Sequence, residues 1–171
     1  MNHGILRRCQ NNIQDKNSIE IFIPNIPSPL SIDIENYDLF KAFAWNYSRI
    51  NKNLGYRKGI KIFYIHRIIL NAKPWDYVDH INGNRMDNRK INLRLCTNSQ
   101  NNANKGKIKR VCASKFKGVH WHKGAGKWCA QIRKDNKNIY GGLFDLEIDA
   151  AKKANELIQE YHKDFGVINV L

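Results

Sequence analysis

Residues 77–101 constrain this chain more than any other stretch. They open with a short apolar run that ends in Asp79 and His80. A loop rich in Gly and Asn follows, through Gly83, Asn84 and Asn88. A second short strand is expected over 92–96, and Thr97 or Asn98 is placed to cap a helix that carries Asn101. The pattern is strand, loop, strand, helix. It draws an imidazole, a carboxylate and an amide oxygen toward one place. Asn-rich loops are ordinary turn chemistry, and that accounts for Asn82, Asn84 and Asn88. It does not account for Asp79-His80 at a strand end.

Composition sets the outer bounds. A chain of 171 residues with 42% apolar and 26% charged residues holds one or two small folded domains. Lys and Arg number 29 against 15 Asp and Glu, a formal +14, which favours a polyanionic partner. No apolar run is long enough to span a bilayer, and the first residues lack a signal-peptide core. The expected setting is therefore intracellular, with no membrane partner. Cys9, Cys96, Cys112 and Cys129 are far apart, so reduced structural thiols are expected and no structural zinc.

Residues 1–17 are polar and read as a loose arm. The segments 18–24 and 30–34 alternate apolar and polar side chains, as half-buried strands do. Asn36 or Asp38 is placed to cap a short helix. Two further strands are expected at 45–49 and 61–65, around a polar stretch at 51–59. The aromatic residues Tyr37, Phe40, Phe43, Trp45 and Tyr47 read as packing. His66 begins a helical turn that Pro74 ends. It serves equally well as a structural histidine bonded to the next loop or as a functional one.

After Asn101 the chain turns basic. Lys105, Lys107, Lys109 and Arg110 fall in a stretch without acids, expected to be a linker over 105–114 that follows a phosphate backbone. Residues 116–143 read as a three-stranded antiparallel sheet. In its middle strand Trp128, Ala130 and Ile132 share one face, and Lys127, Gln131 and Arg133 the other. Gly124 and Gly126 mark the first hairpin, Asp135-Asn136 the second. Asp145 is expected to cap a helix whose apolar stripe, Ala150, Ala151, Ala154, Leu157, Ile158 and Tyr161, packs on the Trp128 face. The opposite, basic face is left to enter a DNA groove.

Ile65-His66-Arg67, Val78-Asp79-His80, Asp87-Asn88-Arg89, Asn92-Leu93-Arg94 and Ser99-Gln100-Asn101 together resemble the phage and intron-type HNH homing endonucleases over about residues 60–104. Phe116-Lys117-Gly118-Val119, the strand 127–133, Gly142-Leu143-Phe144-Asp145, Asp149-Ala150-Ala151 and Gly166 with Asn169 resemble the Apetala-type, or ethylene-response-factor, DNA-binding domain. The resemblances imply an α+β chain: a mixed N-terminal region leading into a ββα-metal nuclease motif over 18–104, and a sheet-on-helix domain over 115–171. They imply His80 as general base, Asn92 positioning the base or the phosphate, and Asp79 with Asn101 holding one divalent cation. His66, Arg67 and Asn88 would support that site. With two oxygen donors from the protein, Mg²⁺ suits the site, Mn²⁺ is the alternative, and the Asn at 101 weakens any case for zinc. In the second domain the resemblance places DNA contacts at Lys117, His120, His122, Lys127, Gln131, Arg133 and Tyr140. The implied activity is metal-dependent hydrolysis of phosphodiester bonds in duplex DNA by a monomer or weak dimer. The rival reading is a transcriptional regulator with a degenerate nuclease motif. An RNA-binding protein fits less well, since no platform of exposed aromatics is evident.

Overall fold

The computed structural model describes residues 5–8, 17–23, 26, 28–106 and 114–171. The chain forms two compact units, residues 1–96 and 97–171. Unit one begins with an antiparallel sheet of β1 (Ile5–Arg8), β2 (Ser18–Phe22) and β3 (Leu30–Asp33). The alternation in β2 and β3 buries Ile19, Ile21, Leu30 and Ile32, and the register sets Ile19 opposite Ile32 and Ile21 opposite Leu30. The arm expected over 1–17 thus contains a strand. Ile5–Arg8 pairs along β2 and completes its outer ladder, which neighbouring polar residues do not reveal.

A turn of 3-10 helix leads into α1 (Tyr37–Lys41), with Asn36 at the N-cap position but not bonding through its side chain. A second sheet follows, β4 (Asn46–Tyr47), β5 (Leu54–Lys58) and β6 (Lys61–Tyr64). β5 lies inside the stretch read from sequence as a polar connector. Its pattern is hidden because only Leu54 supplies a buried apolar side chain. Gly55 passes closely beneath Ile62 and Tyr64 on the neighbouring strand. The one-turn helix α2 (Ile65–Ile69) buries Ile65, His66 and Ile69, and closes before Pro74, with Asn71 in a left-handed conformation at φ 49°. β7 (Tyr77–His80) and β8 (Leu93–Cys96) form the last ladder of the unit. A single core gathers Ile19, Ile21, Leu30, Ile32, Leu54, Ile65, Ile69, Met86 and Leu93.

Unit two starts with α3 (Asn98–Asn104), opened by a capping box in which Thr97 and Gln100 satisfy each other's backbone N–H. The division at 96/97 precedes the boundary at 104 that the motif implies. The reason is local: the Ser99 hydroxyl accepts from Asp135 N at 3.0 Å, and Lys117 Nζ donates to the carbonyl oxygens of Ala103 and Lys105. β9 (Val119–His122), β10 (Lys127–Lys134) and β11 (Lys137–Phe144) form the expected antiparallel sheet, with β10 in the middle. Asp135 and Asn136, at φ 48° and 63°, make the two-residue turn. On α4 (Glu147–His162), Ala150, Ala151, Ala154, Leu157 and Ile158 are buried toward the sheet, as their spacing requires. Asp145 does not cap this helix. Leu146 holds the N-cap position, and the Asp145 carboxylate pairs instead with Lys127 at 3.1 Å. No helix among the described residues is long and apolar enough to cross a membrane.

Candidate active site

The β7 strand ends in two polar residues that its pleat sends to opposite faces. Asp79 sits across from Arg94 and His80 across from Leu93. Both polar side chains are buried, at 5% and 7% exposure. Such residues at a strand end need partners, and each has one.

His80 is held from the loop that follows. Its Nε2 lies 3.3 Å from Asn88 Oδ1. Asn88 Nδ2 donates to the Arg85 carbonyl at 3.1 Å, which fixes which end of the amide faces the imidazole. An amide oxygen only accepts, so in the neutral ring the proton sits on Nε2 and Nδ1 is the basic nitrogen. Burial, chiefly, keeps His80 below the ordinary histidine pKa. The Asn88 bond works against this, Arg85 adds to it, and Asp79 and Asp87 oppose it.

The loop itself is a rigid frame. Asn88 is wholly buried, and its N–H donates to Ser31 O in β3 at 2.7 Å. Asn92 Oδ1 accepts from Asn82 N at 3.0 Å, and its Nδ2 donates to Asp87 O at 2.8 Å. Asn92 thus spans the loop from end to end. Asp87, which sequence reasoning did not single out as a site residue, is the loop's ionic anchor. Arg89 donates to both its oxygens at 2.7 Å, and Asn82 donates to it at 2.9 Å. Burial raises the Asp87 carboxyl, but these bonds more than offset that and leave its pKa below the ordinary value. The motif Asp87-Asn88-Arg89 is the signal that could have marked it.

His66, on α2, stands beside the site. Its ring meets the His80 ring edge-on at a centroid distance of 5.3 Å and stacks on Tyr64. It is buried, and its Nδ1 has no hydrogen-bond partner. Burial, with smaller contributions from His80, Arg67 and Arg85, lowers its pKa to about 3. Arg67 points elsewhere. It donates to the Asp76 and Lys73 carbonyls at 2.8 and 2.6 Å and pins the connection from α2 to β7.

Asp79 Oδ2 accepts from Arg94 Nε at 2.9 Å, and Arg94 Nη2 stands 2.9 Å from the same oxygen as an ion-pair contact. Among the described residues no three His, Cys, Asp or Glu side chains group as a metal site. The donor chemistry nevertheless fits a hard cation that needs only oxygen ligands. A carboxylate has acceptor sites for several partners, and metal-ligating carboxylates are themselves commonly hydrogen-bonded by an outer group. Here the group that hydrogen-bonds Asp79 is Arg94.

In unit two, Asn101 lies half-buried within α3, its N–H bonded to Thr97 O at 2.9 Å. Lys105 ends that helix, its ammonium bonded to Asn102 Oδ1 at 2.7 Å. Lys107, Lys109 and Arg110 lie outside the described residues, as do Cys9 and Cys112. His120, Arg133 and Tyr140 are exposed on the sheet, and Gln131 stands opposite Tyr140 in register. His122 is exposed too, but its Nδ1 accepts from Ala125 N at 3.0 Å and so serves the first hairpin. Lys127 is engaged by Asp145 and Lys117 by α3. Trp121, 40% exposed and edge-on to Trp128, adds an aromatic surface that the sequence reading passed over.

The site is thus a buried imidazole at the end of β7, held by the braced loop that leads to β8. Residues 63–103 match the model of the HNH endonuclease family, a span that includes His66, Asp79, His80, Asn88, Asn92 and Asn101. The match supports a nuclease acting on DNA. No curated protein and no solved structure matches the chain.

Proposed function

We propose that the chain is a metal-dependent HNH endonuclease of the homing type, hydrolysing phosphodiester bonds in duplex DNA. One observation supports this above the rest. Within the segment that matches the family, His80 is a buried imidazole with a lowered pKa, fixed in one tautomer by Asn88. In this reading His80 Nδ1 takes a proton from the attacking water, and Asn88 retains the Nε2 proton and the ring orientation. Asn92 acts through the loop that carries Asn88. Asp79 and Asn101, both inside the matched span, would hold one divalent cation, Mg²⁺ or in its place Mn²⁺. When bound, such an ion polarises the scissile phosphate and stabilises charge on the departing oxygen.

The C-terminal unit supplies target affinity in this proposal, as an Apetala-type DNA-binding domain. The exposed His120, Arg133 and Tyr140 and the half-buried Gln131 are its groove contacts, and the basic stretch with Lys105, Lys107, Lys109 and Arg110 follows the phosphates. The formal charge of +14 is consistent with a polyanionic partner. The test is a metal titration of cleavage. Asp79→Ala should raise the Mg²⁺ needed for cutting and recover in part at excess metal. Cutting by Asp79→Ala at the wild-type metal requirement would remove Asp79 from the proposed ligand set.

One observation favours a second reading, a DNA-binding regulator that never cuts. Arg94 already neutralises the carboxylate that the cation needs. Such a protein would bind duplex DNA with steep salt dependence and leave it intact at every metal concentration.

A further inference from the structure

Lys117 belongs by its sequence position to the DNA-binding face, but its surroundings are those of an internal tie. Its ammonium donates to the carbonyl oxygen of Ala103 and, at 2.6 Å, to that of Lys105. These are C-terminal carbonyls of α3 and its cap, groups that have no partner within the helix. A cation at that end is also favoured by the helix dipole. The backbone of Lys117 is clamped as well. Its N–H donates to Asn169 Oδ1 at 2.6 Å, and its carbonyl accepts from Asn169 Nδ2 at 3.0 Å. Asn169 is in turn bonded to Asn155 of α4. A phosphate-contacting lysine is a solvated, mobile cation, whereas this one is half-buried with both ends of the residue fixed.

We propose that Lys117 is a positioning residue for α3, the helix that carries Asn101, and not a DNA contact. The inference rests on the nuclease reading only for the role of Asn101. Its physical consequence is that the C-terminal unit is more than an anchor: through Lys117, and through Ser99 at the other end of α3, it sets the pose of a residue of the HNH motif. Burial lowers the Lys117 pKa to about 8, as desolvation of an ammonium held only by neutral carbonyls requires.

The test compares the full-length wild-type protein with Lys117→Met and Lys117→Arg. In Lys117→Met the amides of residues 101–105 should exchange with deuterium about tenfold faster, as fraying helix ends do. Mn²⁺ binding to the DNA-free protein, followed by its EPR signal, should weaken, and the Mg²⁺ midpoint for cleavage should rise. Lys117→Arg, which keeps a donor at the end of α3, should recover much of each. DNA affinity and its salt dependence should be unchanged, whereas loss of a phosphate contact lowers the salt slope by about 1. Unchanged exchange with a lowered salt slope would overturn the proposal. Lysine labelling of the wild-type protein keeps the test open should Lys117→Met fail to fold. Lys117, held within unit two by two carbonyl oxygens, should label at the same rate with and without DNA. Fast labelling that DNA suppresses would refute it. Exchange and labelling need no cleavage, so a wild-type protein that binds but never cuts would sink the nuclease reading and leave this inference to stand or fall alone.

Discussion

Asn88 Oδ1 lies 3.3 Å from His80 Nε2, and Asn88 itself is wholly buried and bonded to Arg85 and to Ser31. The amide therefore transmits the rigidity of the loop and of β3 to the imidazole. Asn88→Ala should cut DNA about 10- to 100-fold more slowly, the usual cost of losing an outer orienting group. Asn88→Asp tests the electrostatics. A carboxylate accepting the same bond stabilises the imidazolium, so the His80 pKa rises. The acid limb of the cleavage profile should then move to higher pH, with NMR titration of His80 moving in parallel. An unmoved limb would mean that another group titrates in the profile.

Acid should weaken unit one through His66. Its folded pKa is about 3 against an ordinary 6.5, so below about pH 6.5 the unfolded chain gains a proton that the folded unit refuses. The neutral ring is fully tolerated above that range, and stability is lost as the pH falls through it toward 3. The loss approaches about 1.4 kcal/mol per pH unit at most. Thermal unfolding at pH 7 and pH 5 should show a smaller drop for His66→Phe, which keeps a ring on Tyr64 and carries no titrating nitrogen. An equal drop in both proteins would assign the acid sensitivity elsewhere.

Breaking the Asp79–Arg94 pair should be costly without metal and less so with it. Both side chains are shielded, and removing one partner of a buried pair costs about 3–5 kcal/mol. Arg94→Met should lower the midpoint of unfolding, and Mg²⁺ or Mn²⁺ should restore part of it by taking the place of the guanidinium. A midpoint indifferent to divalent ions in this variant would argue against a cation at Asp79.

Much of this architecture is written locally in the chain. The ladder of β7 and β8, the capping box at Thr97, the turn at Asp135-Asn136 and the alanine stripe of α4 follow from short-range pattern, and the structure contains each. The features that escaped depend on distant partners. Leu54 alone cannot announce β5, whose existence depends on β4 and β6. Asp145 precedes a helix and looks like its cap, but Lys127 on the neighbouring strand claims the carboxylate. Ile5–Arg8 becomes a strand because β2 has an edge to complete. At the site, the residue types were legible and their employment was not. Asn92 reads as a phosphate-side amide, and its bonds to Asn82 N and Asp87 O across the loop were not legible. Lys117 reads as a groove contact, and its bonds to the carbonyl oxygens at the end of α3 could not be foreseen from neighbouring residues. Nothing adjacent to Asp79 in sequence points to Arg94, because the pairing is a matter of cross-strand register.

The most direct test of the account is a supercoiled-plasmid assay with Mg²⁺, with EDTA, and with His80→Ala, using plasmids that carry cloned DNA from the source genome as target. The account predicts open-circular or linear product with wild-type protein and Mg²⁺, none with EDTA, and none with His80→Ala, while His80→Ala still retards DNA in a gel. Cleavage by His80→Ala at the wild-type rate would contradict the role given to His80. Tight, salt-sensitive binding with no cleavage of any DNA would contradict the nuclease reading itself.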